Sequence, residues 1–389
     1  MKSYRADYVF PACADPIKNG VVTIDDGGRI ISVSDDPSDG NYDNVEQLKG
    51  IICPGFVNTH CHLELSHLEG KLSSGNGLIN FIKEIQAVRG ASEDTILKAA
   101  VKADKDMYEN GIVAVGDISN SNISLPVKTK SKIFYHTFVE AFSFLPDRAQ
   151  ETFDRSLILL NEFKQQPCSI TPHAPYSVSK ELFKLIKHYS DTHPNLLSIH
   201  NQESEDENKF YRYRLGGFIG LYEHFGVDIS YFKSQARNSL QSVLPLLSNK
   251  QDILFVHNTS TNLKDIYFIK RFDRRIHFCF CPGANLYIEN KLPKVDLFID
   301  QGFNLTLGTD SLASNTTLCI LNEMRLLQNK FPSLSMGKLI EWGTINGAKY
   351  LGIDDQIGTI EKGKKPGLNL ITGLDGFRIT ADTRVKRLA

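Results

Sequence analysis

The sequence lacks the features that mark membrane-spanning, secreted and nucleic-acid-binding proteins. No stretch of about 18 apolar residues occurs, so no transmembrane helix is expected. The charged residues at 1–7 are not followed by the apolar segment of a secretory signal. The 44 Lys and Arg are balanced by 45 Asp and Glu, which leaves no basic stripe to bind a phosphate backbone. We therefore expect neither a membrane nor a nucleic acid as partner.

Cysteine is also used in a way that excludes several kinds of site. The seven cysteines are an odd number scattered along the chain, unlike a disulfide framework, and this predicts a reducing cytoplasm. There is no H-E-x-x-H helix, and Cys279-Phe280-Cys281 has neither the spacing nor the H-x-E partner of the compact zinc deaminases. Cys279 and Cys281 are predicted to pack within an apolar strand.

The two ends of the chain share a β texture. Apolar segments at 21–24 and 30–33 flank Asp25-Asp26-Gly27-Gly28, which is a strong hairpin signal. Short apolar segments return after residue 355, although Lys365-Pro366-Gly367-Leu368-Asn369 carries no acidic residue before the last strand. Residues 1–53 and 355–389 are predicted to form one small β-sandwich domain.

The central segment, 54–354, alternates apolar runs with longer amphipathic stretches. Eight runs have the length of strands: 51–57, 112–115, 133–139, 168–170, 196–199, 253–256, 276–280 and 303–307. Repeated βα units predict a parallel sheet, and eight of them over about 300 residues match a closed (β/α)8 TIM barrel. In such a barrel the functional side chains lie at the C-terminal ends of the strands.

Histidines and acids fall at these predicted strand ends. His60 and His62 are two positions apart, so the alternation of a strand turns both to the same face. Others follow later strands: His173, His200, Glu203, His257 and Asp310. A capping Asp or a hydrogen-bonded core His is an open alternative for each residue alone. Their shared location favours one site, in which three His and one Asp could bind zinc and leave a position for water.

Three segments resemble the amidohydrolase superfamily: PGFVNTHCH at 54–62, LGTD at 307–310 and GTIEKG at 358–363. The resemblance covers essentially the whole chain. The spacing of His200 and Glu203, with a single downstream His257, is similar to the mononuclear aminohydrolase branch. That branch includes the adenosylhomocysteine/methylthioadenosine deaminases and the aminofutalosine deaminases.

This resemblance implies roles for the residues at the strand ends. The implied ligands of one Zn²⁺, or of Fe²⁺ as the alternative, are His60, His62, His200 and Asp310. The implied catalytic residues are Glu203 as proton shuttle, His257 as the group that holds the attacking water, and Asp310 as its partner in deprotonation. Binuclear relatives need a carboxylated lysine after strand four, where this chain has Thr171-Pro172-His173, so one metal ion is expected.

Substrate-binding residues are less clearly marked. His173 is free for substrate contact under this interpretation, with a purely structural role as the alternative. Glu64 could bind ribose hydroxyls or a substrate amine, or it could orient a ligand histidine. Arg212 and Arg214 could meet a substrate carboxylate, and surface exposure is the alternative for both.

Two further expectations concern helix starts. Glu205, Asp206 and Glu207 are expected to form a solvated first turn, favoured by the helix dipole. Ser314 and Asn315 are expected to cap the next helix.

Taken together, the sequence predicts a cytosolic, metal-dependent deaminase that releases ammonia from an aminopurine nucleoside. The segments LELS at 63–66 and GTDSLASN at 308–315 resemble the corresponding segments of aminofutalosine deaminases. Aminodeoxyfutalosine is therefore the first candidate substrate, followed by methylthioadenosine and adenosylhomocysteine. The alternatives are hydrolysis of a triazine, a pterin or a cyclic amide, and a catalytically silent barrel. A homodimer is implied by the resemblance alone.

Overall fold

Both ends of the chain contribute strands to two small sheets, in a computed structural model that describes residues 1–35 and 45–389. Their strands are β1 (Lys2–Arg5), β2 (Tyr8–Val9), β3 (Ile17–Lys18), β4 (Val21–Ile24), β5 (Ile30–Ser34), β6 (Val45–Gln47), β7 (Ile51–Pro54), β16 (Leu368–Thr372) and β17 (Arg384–Arg387). One sheet has the order β5-β4-β1-β6 and the other β17-β16-β7-β2-β3. The predicted hairpin is confirmed, because β4 and β5 pair antiparallel and Gly28 adopts φ 79° in the turn.

One hydrophobic cluster joins these two sheets. Its fully described members come from both of them: Tyr4, Val22, Ile24 and Ile30 from one sheet, and Val9, Ile52, Leu368 and Leu370 from the other. The N- and C-terminal segments therefore share a hydrophobic cluster, and their division into one β-sandwich domain stays a prediction. Within the predicted range 1–53, residues 36–44 lie outside the described part of the chain.

Eight parallel strands occupy the centre of the chain: β8 (Phe56–Cys61), β9 (Ile112–Ser119), β10 (Phe134–Ala141), β11 (Cys168–Pro172), β12 (Leu197–Asn201), β13 (Ile253–His257), β14 (Ile276–Phe280) and β15 (Asn304–Leu307). They form two four-stranded sheets, β8 to β11 and β12 to β15, each in sequence order.

Hydrogen bonds at two seams connect these sheets. The His200 N–H donates to His173 O at 2.9 Å, and the N–H groups of Thr309 and Asp310 donate to His60 O, both at 3.1 Å. The expected single closed sheet is thus present only in part, as two halves joined by these bonds.

Helices connect the strands: α1 (Leu78–Val88), α2 (Glu93–Glu109), α3 (Leu125–Lys130), α4 (Ala149–Phe163), α5 (Lys180–Thr192), α6 (Glu205–Tyr213), α7 (Gly217–His224), α8 (Ser239–Val243), α9 (Leu263–Ile269), α10 (Pro282–Glu289), α11 (Val295–Ile299), α12 (Ile320–Lys330), α13 (Met336–Gly343) and α14 (Ile345–Leu351). Side-chain caps fix several starts: Ser92, Ser179 and Ser335 each accept a backbone N–H of the first turn, and Asn262 forms a capping box.

The predicted strand at 51–57 is wrong, because Gly55 interrupts it and divides it into two strands. The Gly55 N–H donates to Pro366 O and Gly367 O, at 3.1 and 3.2 Å, and a side chain there would collide with Val113. The segment before Gly55 therefore joins the terminal sheet as β7, and β8 begins at Phe56. At its other end β8 extends to Cys61, so His60 lies within the strand.

No helix among residues 1–35 and 45–389 is both long enough and apolar enough to cross a bilayer. All seven cysteines are free. Cys279 and Cys281 are fully buried with their Sγ atoms 3.9 Å apart. The prediction that both pack within a strand holds for Cys279 but is wrong for Cys281, which follows β14 as the N-cap of α10.

Candidate active site

Four side chains converge at the C-terminal ends of β8, β12 and β15. The rings of His60 and His62 have centroids 4.9 Å apart, because alternation along the strand turns both to one side. His62 Nε2 lies 3.2 Å from His200 Nε2 and 3.4 Å from Asp310 Oδ1. His60 Nε2 lies 3.6 Å from the same oxygen. One ligand atom from each of the four lies within 4.8 Å of all the others.

These residues fit a divalent cation. His60 is fully buried, yet neither of its ring nitrogens has a hydrogen-bond partner, which is unfavourable unless another group binds there. Burial, with the neighbouring His200 and His173, holds the pKa of His60 well below its ordinary value, and burial does the same for His62. Neutral imidazoles and one carboxylate are the donor set that a divalent transition metal prefers.

Hydrogen bonds behind the ligands fix their orientation. His200 Nδ1 donates to His173 O at 2.8 Å, so the proton is on Nδ1 and Nε2 is free to bind a cation. Ser314 Oγ donates to Asp310 Oδ2 at 2.5 Å, which leaves Oδ1 toward the histidines. The expected capping role of Ser314 and Asn315 is wrong, because α12 starts only at Ile320, after Cys319, and Asn315 Nδ2 donates to Thr309 O at 2.9 Å.

Two of the strand-end residues adopt left-handed backbone conformations that are uncommon outside glycine. Asp310 has φ 57°, His257 has φ 72° and the following Asn258 has φ 59°. The surrounding structure enforces these angles: the Asp310 N–H donates to His60 O, and the Asn258 N–H donates to Asn201 O. Local strain held in this way is typical of functional sites.

Glu203 and His257 form a second pair beside the cluster. Glu203 Oε1 lies 3.6 Å from His257 Nε2, and Glu203 is 3% exposed. Burial, with the nearby Asp310 and Glu207, raises the pKa of the Glu203 carboxyl well above its ordinary value. Burial therefore favours the protonated form of Glu203, the form that a proton donor needs. It lies in the turn between β12 and α6, where Gln202 has φ 48°.

The expectation of a solvated acidic turn is wrong for one of its three residues. Glu205 and Asp206 are at the surface, but Glu207 is fully buried. Its Oε1 accepts the Gln202 N–H at 3.0 Å, which supports the turn that carries Glu203. Burial raises the pKa of Glu207 to about 7.

A cavity of about 510 Å³ opens onto both groups, a size suited to a small molecule. Its polar lining includes His62, His200, Glu203, His257, Asp310, His173, Asn120, Glu140, Arg89 and Arg148, and its apolar wall includes Phe81, Ile82, Ile85, Phe142, Leu145, Tyr222, Phe225 and Val227.

The residues expected to bind substrate lie in different places. His173 lines the cavity, where burial and the positive charge of Arg89 lower its pKa to about 4. The Glu64 carboxylate accepts the Asn120 N–H at 2.9 Å and the Ser121 hydroxyl at 3.0 Å. It contacts no ligand histidine in the part of the chain that the structure describes. Arg212 lines a separate surface cleft, and Arg214 is exposed, so neither reaches the cavity.

Sequence reasoning missed three charged residues of the cavity. Glu140 lies near the end of β10, one residue beyond the predicted strand end. An acidic residue directly after a predicted strand is the signal that could have identified it. Arg89 follows α1 and Arg148 precedes α4, where no pattern marked them. Neither guanidinium makes an ion pair or a hydrogen bond within the described residues.

Comparison with known proteins gives consistent matches. The sequence model of the Amidohydrolase family matches residues 51–385. An adenosine deaminase of Helicobacter pylori is 27% identical over 327 residues, covering 82% of this chain and 78% of that protein. The structure of H. pylori aminofutalosine deaminase in complex with methylthio-coformycin has a TM-score of 0.82 at 22% identity, covering 98% of this chain and 94% of that one.

A zinc-bound adenosine deaminase of Xanthomonas campestris has a TM-score of 0.73 at 21% identity, covering 95% of this chain and 84% of that one. At these identities the two solved structures establish a shared fold.

Proposed function

Because the chain belongs to the Amidohydrolase family, we propose that it is a metal-dependent deaminase that hydrolyses the exocyclic C–N bond of an aminopurine nucleoside. One observation carries this proposal: the buried acid Glu203 and His257, 3.6 Å apart, stand beside a cluster of three His and one Asp. A deaminase needs both a hydrolytic nucleophile and a proton donor for the leaving amine. The similar proteins named above are two adenosine deaminases and an aminofutalosine deaminase, which supports the same class here.

The cluster of His60, His62, His200 and Asp310 would hold one divalent cation, for which we propose Zn²⁺, with Fe²⁺ as the alternative. When bound, such a cation supplies the Lewis acidity that generates hydroxide from water near neutral pH. The zinc-bound relative supports this choice of metal.

The remaining steps belong to side chains of the chain itself. His257 Nε2–H donates a hydrogen bond to the attacking oxygen, and Asp310 Oδ1 accepts the proton that the water loses. Glu203 donates its proton to the ring nitrogen beside the attacked carbon. Glu203 then takes up the proton of the added hydroxyl and passes it to the amino group, and the proton held by Asp310 returns to Glu203. Cleavage of the C–N bond releases ammonia, and the ring keeps the oxygen as a carbonyl. Overall, water and the amine become a carbonyl product and ammonia.

The arginines of the cavity favour one substrate among the candidates. Two unpaired guanidinium groups, Arg89 and Arg148, stand beside an apolar wall, which suits a nucleoside whose arm carries both a ring and an anion. Aminodeoxyfutalosine has a carboxyphenyl arm of this kind. Methylthioadenosine and adenosine have no anionic group. Adenosylhomocysteine carries a carboxylate, but beside it an ammonium group that the arginines would repel. We therefore propose aminodeoxyfutalosine first and methylthioadenosine or adenosylhomocysteine next, with His173 contacting the nucleoside.

At the level of architecture, we propose that the two four-stranded halves act as one (β/α)8 barrel, residues 54–354. The two terminal sheets would form one β-sandwich from residues 1–53 and 355–389. We also propose that the protein is cytoplasmic and forms a homodimer.

The experiment is ammonia release from a panel of nucleosides by zinc-loaded protein. The panel contains aminodeoxyfutalosine, methylthioadenosine, adenosylhomocysteine and adenosine. Glu203→Gln is the test variant, and Glu205→Gln, which alters an exposed acid two residues away, is the matched control. We expect turnover that falls at least about 100-fold in Glu203→Gln and stays within about 2-fold in the control. Metal-replete protein that is inert on every nucleoside, or that hydrolyses triazines, pterins or cyclic amides instead, would overturn the proposal.

A further inference from the structure

A buried carboxylate that the proposed reaction does not use lies behind the ligand His200. Glu140 is 8% exposed, and its Oε1 has no hydrogen-bond partner within the described residues. That oxygen lies 3.7 Å from His200 Nδ1. No lysine or arginine of the described chain forms an ion pair with it within 4.0 Å. Burying a carboxylate without an ion-pair partner is costly. Arg89 acts on Glu140 only from beyond ion-pair distance, so a positive charge next to Oε1 would stabilise the carboxylate.

Hydrogen bonds hold Glu140 in this position from the other side. Asn120 Nδ2 donates to Glu140 Oε2 at 3.0 Å, and the Asn120 main-chain N–H donates to Glu64 Oε1 at 2.9 Å. The second oxygen of Glu64 accepts the Ser121 hydroxyl at 3.0 Å. A chain of polar contacts therefore runs from Glu64, two residues after His62, through Asn120 and Glu140 to the back of His200.

The geometry of His200 shows how this chain could act on the cluster. Nδ1 carries the proton that it donates to His173 O, and Nε2 faces His62. A cation bound at Nε2 withdraws electron density from the ring and makes its Nδ1–H side more positive. A carboxylate 3.7 Å away in a buried environment stabilises that charge.

We infer that Glu140 is a positioning residue for His200 that raises the affinity of the four-residue cluster for a divalent cation, and that Asn120 and Glu64 hold it in place. The inference rests on the metal site of the proposed function. Atoms of Glu140, His173 and His200 also lie within 4.8 Å of one another. They do not make a second metal site, because His200 Nδ1 is protonated toward His173 O.

The test measures the affinity for Zn²⁺ by competition with a chromophoric chelator, on the full chain at pH 8. Glu140→Gln keeps the size of the side chain and an acceptor for Asn120 but removes the charge. Glu162→Gln is the matched control, because Glu162 also accepts an Asn side-chain amide, from Asn122, but at the surface. We expect Zn²⁺ binding to weaken about 10- to 100-fold in Glu140→Gln and to stay unchanged in the control.

A second variant keeps the inference testable if Glu140→Gln does not fold. Asn120→Ser removes the amide that holds Glu140 but leaves the main-chain N–H for Glu64, and it should weaken Zn²⁺ binding several-fold. Unchanged Zn²⁺ affinity in folded Glu140→Gln, whether or not KM for the nucleoside rises, would overturn the inference. Because the assay needs no turnover, its failure is distinct from a failure of the deaminase proposal.

Discussion

One buried amide decides which ring nitrogen of His257 carries the proton. Replacing that amide by a carboxylate should move the proton to the other ring nitrogen. Asn285, on α10, is fully buried, and its Nδ2 lies 3.0 Å from His257 Nδ1. An amide nitrogen only donates, so Nδ1 accepts and the ring proton is on Nε2, which faces Glu203. An aspartate at this position only accepts when ionised. Asn285→Asp should therefore move the proton to Nδ1 and leave Nε2 unable to donate to the attacking oxygen.

The size of the effect follows from the loss of one hydrogen bond to the oxygen on which charge develops. Removing a single preorganised donor of this kind lowers kcat about 100- to 1000-fold, or about 3 to 4 kcal/mol. Because His257 acts on the reacting oxygen and not on the nucleoside's sugar or arm, KM should change less than about 3-fold. Asn290→Asp, at the exposed end of the same helix, is the control and should leave both constants unchanged.

Two measurements check this prediction on zinc-loaded protein. Nitrogen-15 NMR of labelled histidines should assign the proton of His257 to Nε2 in the wild type and to Nδ1 in Asn285→Asp. Steady-state kinetics should show the fall in kcat. A wild-type His257 that already carries its proton on Nδ1, or an Asn285→Asp variant with undiminished kcat, would refute the reasoning.

Three other predictions concern recognition, the metal site and stability. Replacing Arg89 and Arg148 by Met should lower kcat/KM for aminodeoxyfutalosine about 10- to 100-fold each but leave methylthioadenosine unaffected, and equal losses on both nucleosides would contradict the assigned role. Ser314→Ala removes the donor to the ligand carboxylate and should weaken Zn²⁺ binding about 10-fold in chelator competition; unchanged binding would contradict that role.

Burial lowers the pKa of His136 to about 3, so only the unfolded chain takes up a proton as the pH falls below about 6.5. Between pH 6.5 and 5 the wild type should lose about 2 kcal/mol more free energy of unfolding than His136→Gln in denaturant titrations. Parallel pH profiles would count against this.

The apolar runs and the alternation within strands predict that most of the candidate site residues lie at strand ends. Alternation in a strand is independent of the rest of the fold, so the pairing of His60 with His62 on one face could be predicted from two positions. Gly55 could not be interpreted in the same way. The interruption of the strand at Gly55 depends on Val113 and on the carbonyl of Pro366, which are distant in sequence. A continuous apolar run therefore looked like one strand, although it belongs to two sheets.

Three adjacent acids illustrate a second limit. Glu205, Asp206 and Glu207 have the same local signature of a helix start, and the dipole favours all of them. Only the last is turned inward, where it accepts the Gln202 N–H. What distinguishes Glu207 is its place three residues after the N-cap Ser204, from which an acidic side chain can reach back to the main chain before the helix. Nothing in the charge pattern of the segment carries this information.

The two seams of the parallel strands coincide with the site, and this explains why the site residues are also structural. The bonds at one seam join His60 with Asp310, and the bond at the other joins His173 with His200. A cation held by His60 and His62 of the first half, and by His200 and Asp310 of the second, would link the two halves. Since a ligand that binds only the folded state stabilises it by mass action, metal binding would also strengthen the connection between the two halves. Residues such as Ser314 and Glu140, which hold the ligands from behind, therefore contribute to both.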